Sequence, residues 1–164
     1  MVMYRVKQFY LAITSKVEEE DKKFINLYLD KNELDLFNKL PIYEQTHSLR
    51  TAKSVKEECF KHNIDDKKLI KAALLHDIGK IQNNLNVIDK SIIVLLDKIT
   101  KGKAKKLSNI KKIDTYYNHG EKGYNTLKNY ISDKKILKLV KEHHNASIVD
   151  DKELQILREC DSKN

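Results

Sequence analysis

Between Asp65 and Gly79 lies a stretch in which Leu69, Ile70, Ala72, Ala73, Leu74, Leu75 and Ile78 leave almost no polar side. A helix with that pattern is stable only when other elements enclose it, so the stretch predicts a helix at the centre of the fold. Asp65 is placed to cap its free amides, Ile64 to staple against Leu69, and Gly79 to end it. The whole chain has only four Gly and one Pro in 164 residues, which leaves few sites for tight hairpins, whereas helix-forming Lys, Leu and Glu are abundant. The expected fold class is therefore all-α.

Apolar residues at three and four spacing predict short helices over Tyr4–Ile13, Phe24–Leu29 and Leu34–Leu40, interrupted by Pro41. A longer helix is expected from Ile42 to about Phe60, with Leu49, Ala52, Val55 and Cys59 on one stripe. Further helices are expected over Ile88–Ile99, Ile110–Tyr117, Gly120–Tyr130, Asp133–His144 and Asp150–Asp161. Neither a repeat nor a linker divides them, so residues 1–164 read as one domain. The 40% of hydrophobic residues can build a core at this length. Cys59 and Cys160 are expected as buried free thiols, since two cysteines supply neither a disulfide framework nor a zinc-finger spacing. From Met1 to Ile13 apolar residues alternate with Arg5, Lys7 and Gln8, with no run suited to a signal or a membrane span. A cytoplasmic protein without a membrane partner is the expectation.

The formal charge of +8 points to an anionic partner. Lys98, Lys101, Lys103, Lys105, Lys106, Lys111 and Lys112 crowd one stretch, but without interleaved aromatics they read as a solvated loop rather than a nucleic-acid patch. Charge alone does not choose between a phosphorylated metabolite, a nucleotide and a nucleic acid.

Five separated pieces of chain carry nitrogen and oxygen ligands: His47, His76-Asp77, His119, His143-His144 and Asp161. On a helix His76 follows Ala72 and Leu69 along the apolar face, with Asp77 about 100° further round. A carboxylate there is costly without a charge partner. His143 follows Leu139 and Val140, and Asp161 follows Leu154 and Leu157, on apolar stripes of their own. One such residue is usually a satisfied core group, but a set of them in a short domain points to metal. Imidazole and carboxylate without thiolate suit iron, manganese, cobalt, nickel or zinc. Asp77 is the candidate to bridge two divalent ions about 3.5 to 4 Å apart. Arg50, one turn beyond His47 on the same face, is placed to reach a phosphate or to pair with a carboxylate. His62 is expected on the surface, and Tyr116, Tyr117 and Tyr124 in the core.

The residues LLHDIGK, Leu74 to Lys80, resemble the signature of the HD superfamily, specifically its HDIG branch. His47 in EQTHSLR, His119 in YYNHGEKG, His143-His144 in KEHHN and Asp161 in LRECD follow in an order similar to that of binuclear HD proteins. The resemblance covers about residues 42–161 and leaves residues 1–41 as a helical addition. It implies a helical bundle of the HD/phosphodiesterase type and a metal-dependent phosphohydrolase acting on a phosphomonoester or phosphodiester, often a nucleotide. By the same resemblance His47, His76, Asp77 and Asp161 would hold one metal, and Asp77, His119 and His143 a second. A hydroxide between the ions would attack phosphorus. Lys80 would join Asp77 in catalysis by neutralising substrate phosphate, and His144 would contact substrate or support the ligands. Asn145-Ala146-Ser147-Ile148-Val149 replaces the GYP-type extension, which disfavours cyclic di-GMP; dinucleoside polyphosphates remain one candidate. Two other classes share such ligands: two-iron oxygenases of the HD fold, and non-catalytic nucleotide-binding or regulatory modules.

Overall fold

The computed structural model describes residues 16–164 apart from 66, 84 and 86, so the helix predicted over Tyr4–Ile13 lies outside the described residues. Among those described there are eight α-helices and no strand, in agreement with the all-α expectation. They are α1 (Glu19–Tyr28), α2 (Lys31–Phe37), α3 (Ile42–His62), α4 (Lys67–Leu75), α5 (Val87–Ile99), α6 (Lys111–Leu127), α7 (Lys134–Glu142) and α8 (Lys152–Lys163). Short 3-10 turns cover Ile78–Lys80 and Lys103–Leu107. None of these helices is long and apolar enough to cross a membrane.

Local chemistry accounts for several boundaries. The Asp30 side chain accepts from the Glu33 amide to start α2, and Asp133 and Asp151 do the same for α7 and α8, each a cap that satisfies free first-turn amides. The long α3 stops at Asn63, whose left-handed φ of 50° turns the chain away. Asp65 accepts from the Lys67 amide at 3.4 Å, on the N-terminal side of α4 as predicted. The centre of the fold is α4, with Leu69, Ile70, Ala72, Ala73, Leu74 and Leu75 buried and α1, α3, α7 and α8 packed around it. Leu36 and Phe37 of α2 enter the same core.

Two predictions about glycine are corrected. The central helix ends at Leu75, before the His-Asp pair, and Gly79 lies within the 3-10 turn at negative φ instead of stopping a helix. Its role is close approach: a Cβ there would stand 2.0 Å from the His119 carbonyl oxygen and 2.7 Å from the Gly123 nitrogen. Likewise the helices expected on either side of His119 are one continuous α6. Gly120 lies inside it because a Cβ would meet the Lys141 carbonyl oxygen at 2.5 Å. Backbone contact on both flanks, made possible by missing side chains, presses α6 against the 78–80 turn and against α7.

Candidate metal centre

The packing of α6 on the turn after α4 brings the His and Asp residues together. His76 and Asp77 leave the end of α4, His47 faces them from α3, His119 from the middle of α6, His143 from the end of α7, and Asp161 from the last turn of α8. His76, Asp77, His119 and His143 are all buried. Asp161, three residues from Asn164, is held by its helix, and the Asn164 side chain donates to Ser54 Oγ at 3.0 Å and to the Cys160 carbonyl at 2.8 Å. That ties the end of α8 to α3.

Three rings share one hydrogen-bond plan. Nδ1 of His76 donates to the Ala73 carbonyl at 2.7 Å, Nδ1 of His119 to the Tyr116 carbonyl at 2.9 Å, and Nδ1 of His143 to the Val140 carbonyl at 2.6 Å. A carbonyl can only accept, so the proton of each neutral ring sits on Nδ1 and the lone pair on Nε2. Those Nε2 atoms converge. His76 Nε2 is 3.3 Å from Asp77 Oδ2 and 3.4 Å from Asp161 Oδ1, and His119 Nε2 is 3.3 Å from Asp77 Oδ1. His47 Nε2 is 2.8 Å from Asp161 Oδ1 and 3.8 Å from Asp77 Oδ2.

Charges follow the geometry. Burial alone would push the His76 imidazole down, but the Asp77 and Asp161 carboxylates overcome it and hold it at about 10. Burial pushes His119 down to about 3 with Lys80 assisting, and pushes His143 down with its neighbouring rings assisting. Both of those rings are therefore neutral, with Nε2 lone pairs facing each other at 3.2 Å. Asp77 and Asp161 stay ionised against the cost of burial, Asp77 through His76 and Lys80, Asp161 through His47 and His76.

This arrangement fits a cation. Both oxygens of Asp77 and Nε2 of His76 are buried without a conventional hydrogen bond, and Lys80 Nζ stands 2.6 Å from Asp77 Oδ2 as an ion pair. Unpartnered buried polar atoms and facing lone pairs are costly unless positive charge lies between them. Carbonyl-anchored histidines whose Nε2 is bare, as in His119 and His143, or is freed by loss of a proton, as in His76, are the usual supports of metal ligands. Candidate ligand atoms lie within 4.8 Å of one another in the groups His47, His76 and Asp161, then His76, Asp77 and His143, and finally His119, His143 and His144. His144 thus joins the group, its ring 4.1 Å from that of His143 and 4.8 Å from that of His119.

A cavity of about 930 Å³ opens onto these residues. Arg50 lines it; among the described residues it has no carboxylate partner, its Nε is buried without an acceptor, and burial lowers its pKa. Lys80 lines it too, its pKa raised by Asp77 and Glu44 in spite of burial. Tyr116 and Tyr117 pack with Leu85, Ile93 and Ile113 as expected of core aromatics, yet they also wall the cavity. His62 is exposed on α3, as predicted, 3.9 Å from Glu58.

Sequence reasoning missed Glu44, Lys90 and Arg158. Glu44 is buried, 3.4 Å from Lys80 Nζ and paired with Lys90. Its signal was its place three residues before His47, on one helix face. Arg158 donates to the carbonyls of His143 at 3.1 Å, Ile148 at 2.8 Å and Glu142 at 3.3 Å, and also to that of Asn145. It closes the C-terminal end of α7 and fixes the backbone that carries His143 and His144. Nothing in its spacing announces that role.

Neither the curated proteins nor the solved structures offered a match. The model of the HD domain matches residues 45–163, a span that contains every residue of the centre except Glu44. The chain belongs to the HD domain family.

Proposed function

We propose that the chain is a metal-dependent phosphohydrolase of the HDIG type, cleaving a phosphomonoester or phosphodiester of a nucleotide or another small phosphorylated metabolite. The supporting observation is the convergence of carbonyl-anchored histidines on the buried Asp77 carboxylate, beside a cavity lined by Lys80 and Arg50. Two divalent transition-metal ions would be held by His47, His76, Asp77 and Asp161 and by Asp77, His119 and His143; when bound, they would acidify a shared water and neutralise phosphoryl charge. Lys80, held by Asp77 and Glu44, offers its ammonium to a substrate oxygen. Arg50, with no carboxylate partner among the described residues, binds a second oxygen, and its planar donors suit phosphate. His144 contacts the substrate or supports its neighbours. Residues 1–164 act as one domain, with 1–41 an addition to the core of 42–161, and the buried thiols Cys59 and Cys160, which form no disulfide, suit a reducing compartment such as the cytoplasm.

The test is metal analysis of the purified protein together with a phosphoester and nucleotide panel run with and without oxygen. Two transition metals per chain with oxygen-independent phosphate release are expected. Oxygen-dependent turnover without phosphate release would point to the oxygenase class. Two metals with tight nucleotide binding and no hydrolysis would point to a regulatory module, and less than one metal per chain after reconstitution would overturn the metal centre itself.

A further inference from the structure

Helix α5 is amphipathic with its sides reversed. At 100° per residue, Lys90, Ile93, Val94 and Asp97 share one face. That face turns inward: Ile93 is buried, Lys90 and Val94 line the cavity, and Asp97 accepts from the Tyr117 hydroxyl at 2.6 Å. The opposite face holds large aliphatics in water, with Ile88 63%, Ile92 52%, Leu95 58%, Leu96 36% and Ile99 69% exposed. These leave roughly 500 Å² of aliphatic surface in one strip, near the upper end of what monomers tolerate.

The strip has the spacing of a helix–helix seam. Ile88, Ile92, Leu95 and Ile99 follow at four, three and four residues and fall within about 60° of one another, the pattern that interlocks two helices. We propose that this face binds the same face of a second copy of this chain, with the two α5 helices antiparallel about a two-fold axis passing between positions 93 and 94. Ile88 of one protomer then meets Ile99 of its partner, and Ile92 meets Leu95. The five side chains of each copy bury roughly 1,000 Å² together, and the polar rim carries the total past about 1,200 Å², where stable interfaces begin.

Charge selects the direction. Asp89 is held by Lys112 at 2.8 Å and Asp97 by Tyr117, whereas Lys98, Lys101, Lys103, Lys105 and Lys106 have no ion pair among the described residues and crowd the C-terminal end of the helix. Parallel pairing would set these lysines side by side. Antiparallel pairing separates the two Lys98 residues by roughly 13 Å along the axis, beyond the range of strong repulsion in salt. A lipid surface is a poorer occupant, because the seam is narrow and carries no aromatic anchor. Pairing would also stiffen the wall that carries Lys90, and through Glu44 the position of Lys80.

Mass measurement by sedimentation or light scattering tests the pairing. The wild-type chain is expected as two copies. Ile92→Lys and Leu95→Glu are each expected as one copy with unchanged helical circular dichroism, since both positions are exposed. Mixing the two variants should restore the two-copy species, because antiparallel pairing sets position 92 against position 95. A wild-type chain that stays single at high micromolar concentration overturns the proposal, as does a pair that survives both substitutions. A single chain that binds phosphatidylserine vesicles would assign the face to lipid instead, and a mixture of variants that stays single would overturn the antiparallel direction.

Discussion

Gly79→Ala isolates the contact that assembles the centre. The added Cβ would stand 2.0 Å from the His119 carbonyl oxygen and 2.7 Å from the Gly123 nitrogen, and both obstacles are backbone. To restore ordinary contact, the 78–80 turn and α6 must part by roughly 1 Å. Overpacking of this kind costs about 1 to 3 kcal/mol, so the variant folds, and its melting temperature falls by roughly 3 to 10 °C. The effect on the centre is larger. Asp77 Oδ1 and His119 Nε2 lie 3.3 Å apart across that boundary, while metal–ligand distances tolerate only about 0.2 Å of error. His47, His76 and Asp161 lie on elements that the substitution does not wedge apart. Metal content should therefore fall from two ions per chain to one or fewer, with the ion between Asp77, His119 and His143 lost first. Thermal unfolding of the metal-free protein and elemental analysis of the loaded protein measure the two effects separately. A variant that keeps two ions and melts within about 1 °C of wild type would refute this account of Gly79.

Lys80→Met should retain its metals and lose about 10²- to 10³-fold in kcat on whichever phosphoester the chain turns over, measured by steady-state kinetics beside elemental analysis; loss of metal instead would make Lys80 a structural partner of Asp77. Arg158→Ala removes four hydrogen bonds to backbone carbonyls around the end of α7 and should cost about 3 kcal/mol, seen as a lower urea midpoint, and an unchanged midpoint would contradict the clamp. The metal-free protein should be most stable near pH 6.5. His76 is held at about 10 in the fold, so its contribution is complete below its unfolded value and is lost as pH rises toward 10, roughly 3 kcal/mol by pH 9. His119 is held at about 3 and His143 is also lowered, so the unfolded chain takes up protons first as pH falls below 6.5, and stability drops on that side too. Urea midpoints of chelator-treated protein at pH 4.5, 6.5 and 9 check this, and a midpoint that rises from 6.5 to 9 would contradict the His76 assignment.

The central helix was legible because α4 is apolar on almost every side, and that pattern has one physical solution. Its end was not legible. His76 turns Nδ1 back onto the Ala73 carbonyl, and the chain tightens into a 3-10 turn because α6 backbone arrives at Gly79, a tertiary cause that spacing does not carry. For the same reason Gly120 reads as a helix break in sequence, although it lies inside α6 where the end of α7 presses against it. The ligand residues were legible through chemistry, since His and Asp on apolar stripes need a reason to be there. Glu44 was hidden by its type: a glutamate near the start of a helix is ordinarily solvated, and only the position of Lys80, thirty-six residues on, makes its burial sensible.

The balance of charge around Asp77 bears on the proposed pairing of metal with an anionic substrate. Glu44, Asp77 and Asp161 are three carboxylates gathered at one end of the cavity, and facing them are Lys80, Lys90 and a protonated His76. These six groups balance one another only while His76 keeps its proton, which stands where a metal would act. Metal ligation requires the neutral ring, so binding must expel that proton and should tighten as pH rises toward 10. Two divalent ions, as proposed, would bring four positive charges against the one proton released. The surplus cannot be met by carboxylates, because all three are already engaged. Arg50 adds a further cation without a counter-ion among the described residues. On the proposed reading, a loaded centre of this composition would call for anions in the cavity, and a phosphate ester beside Lys80 and Arg50 is an anion whose geometry those two side chains would match.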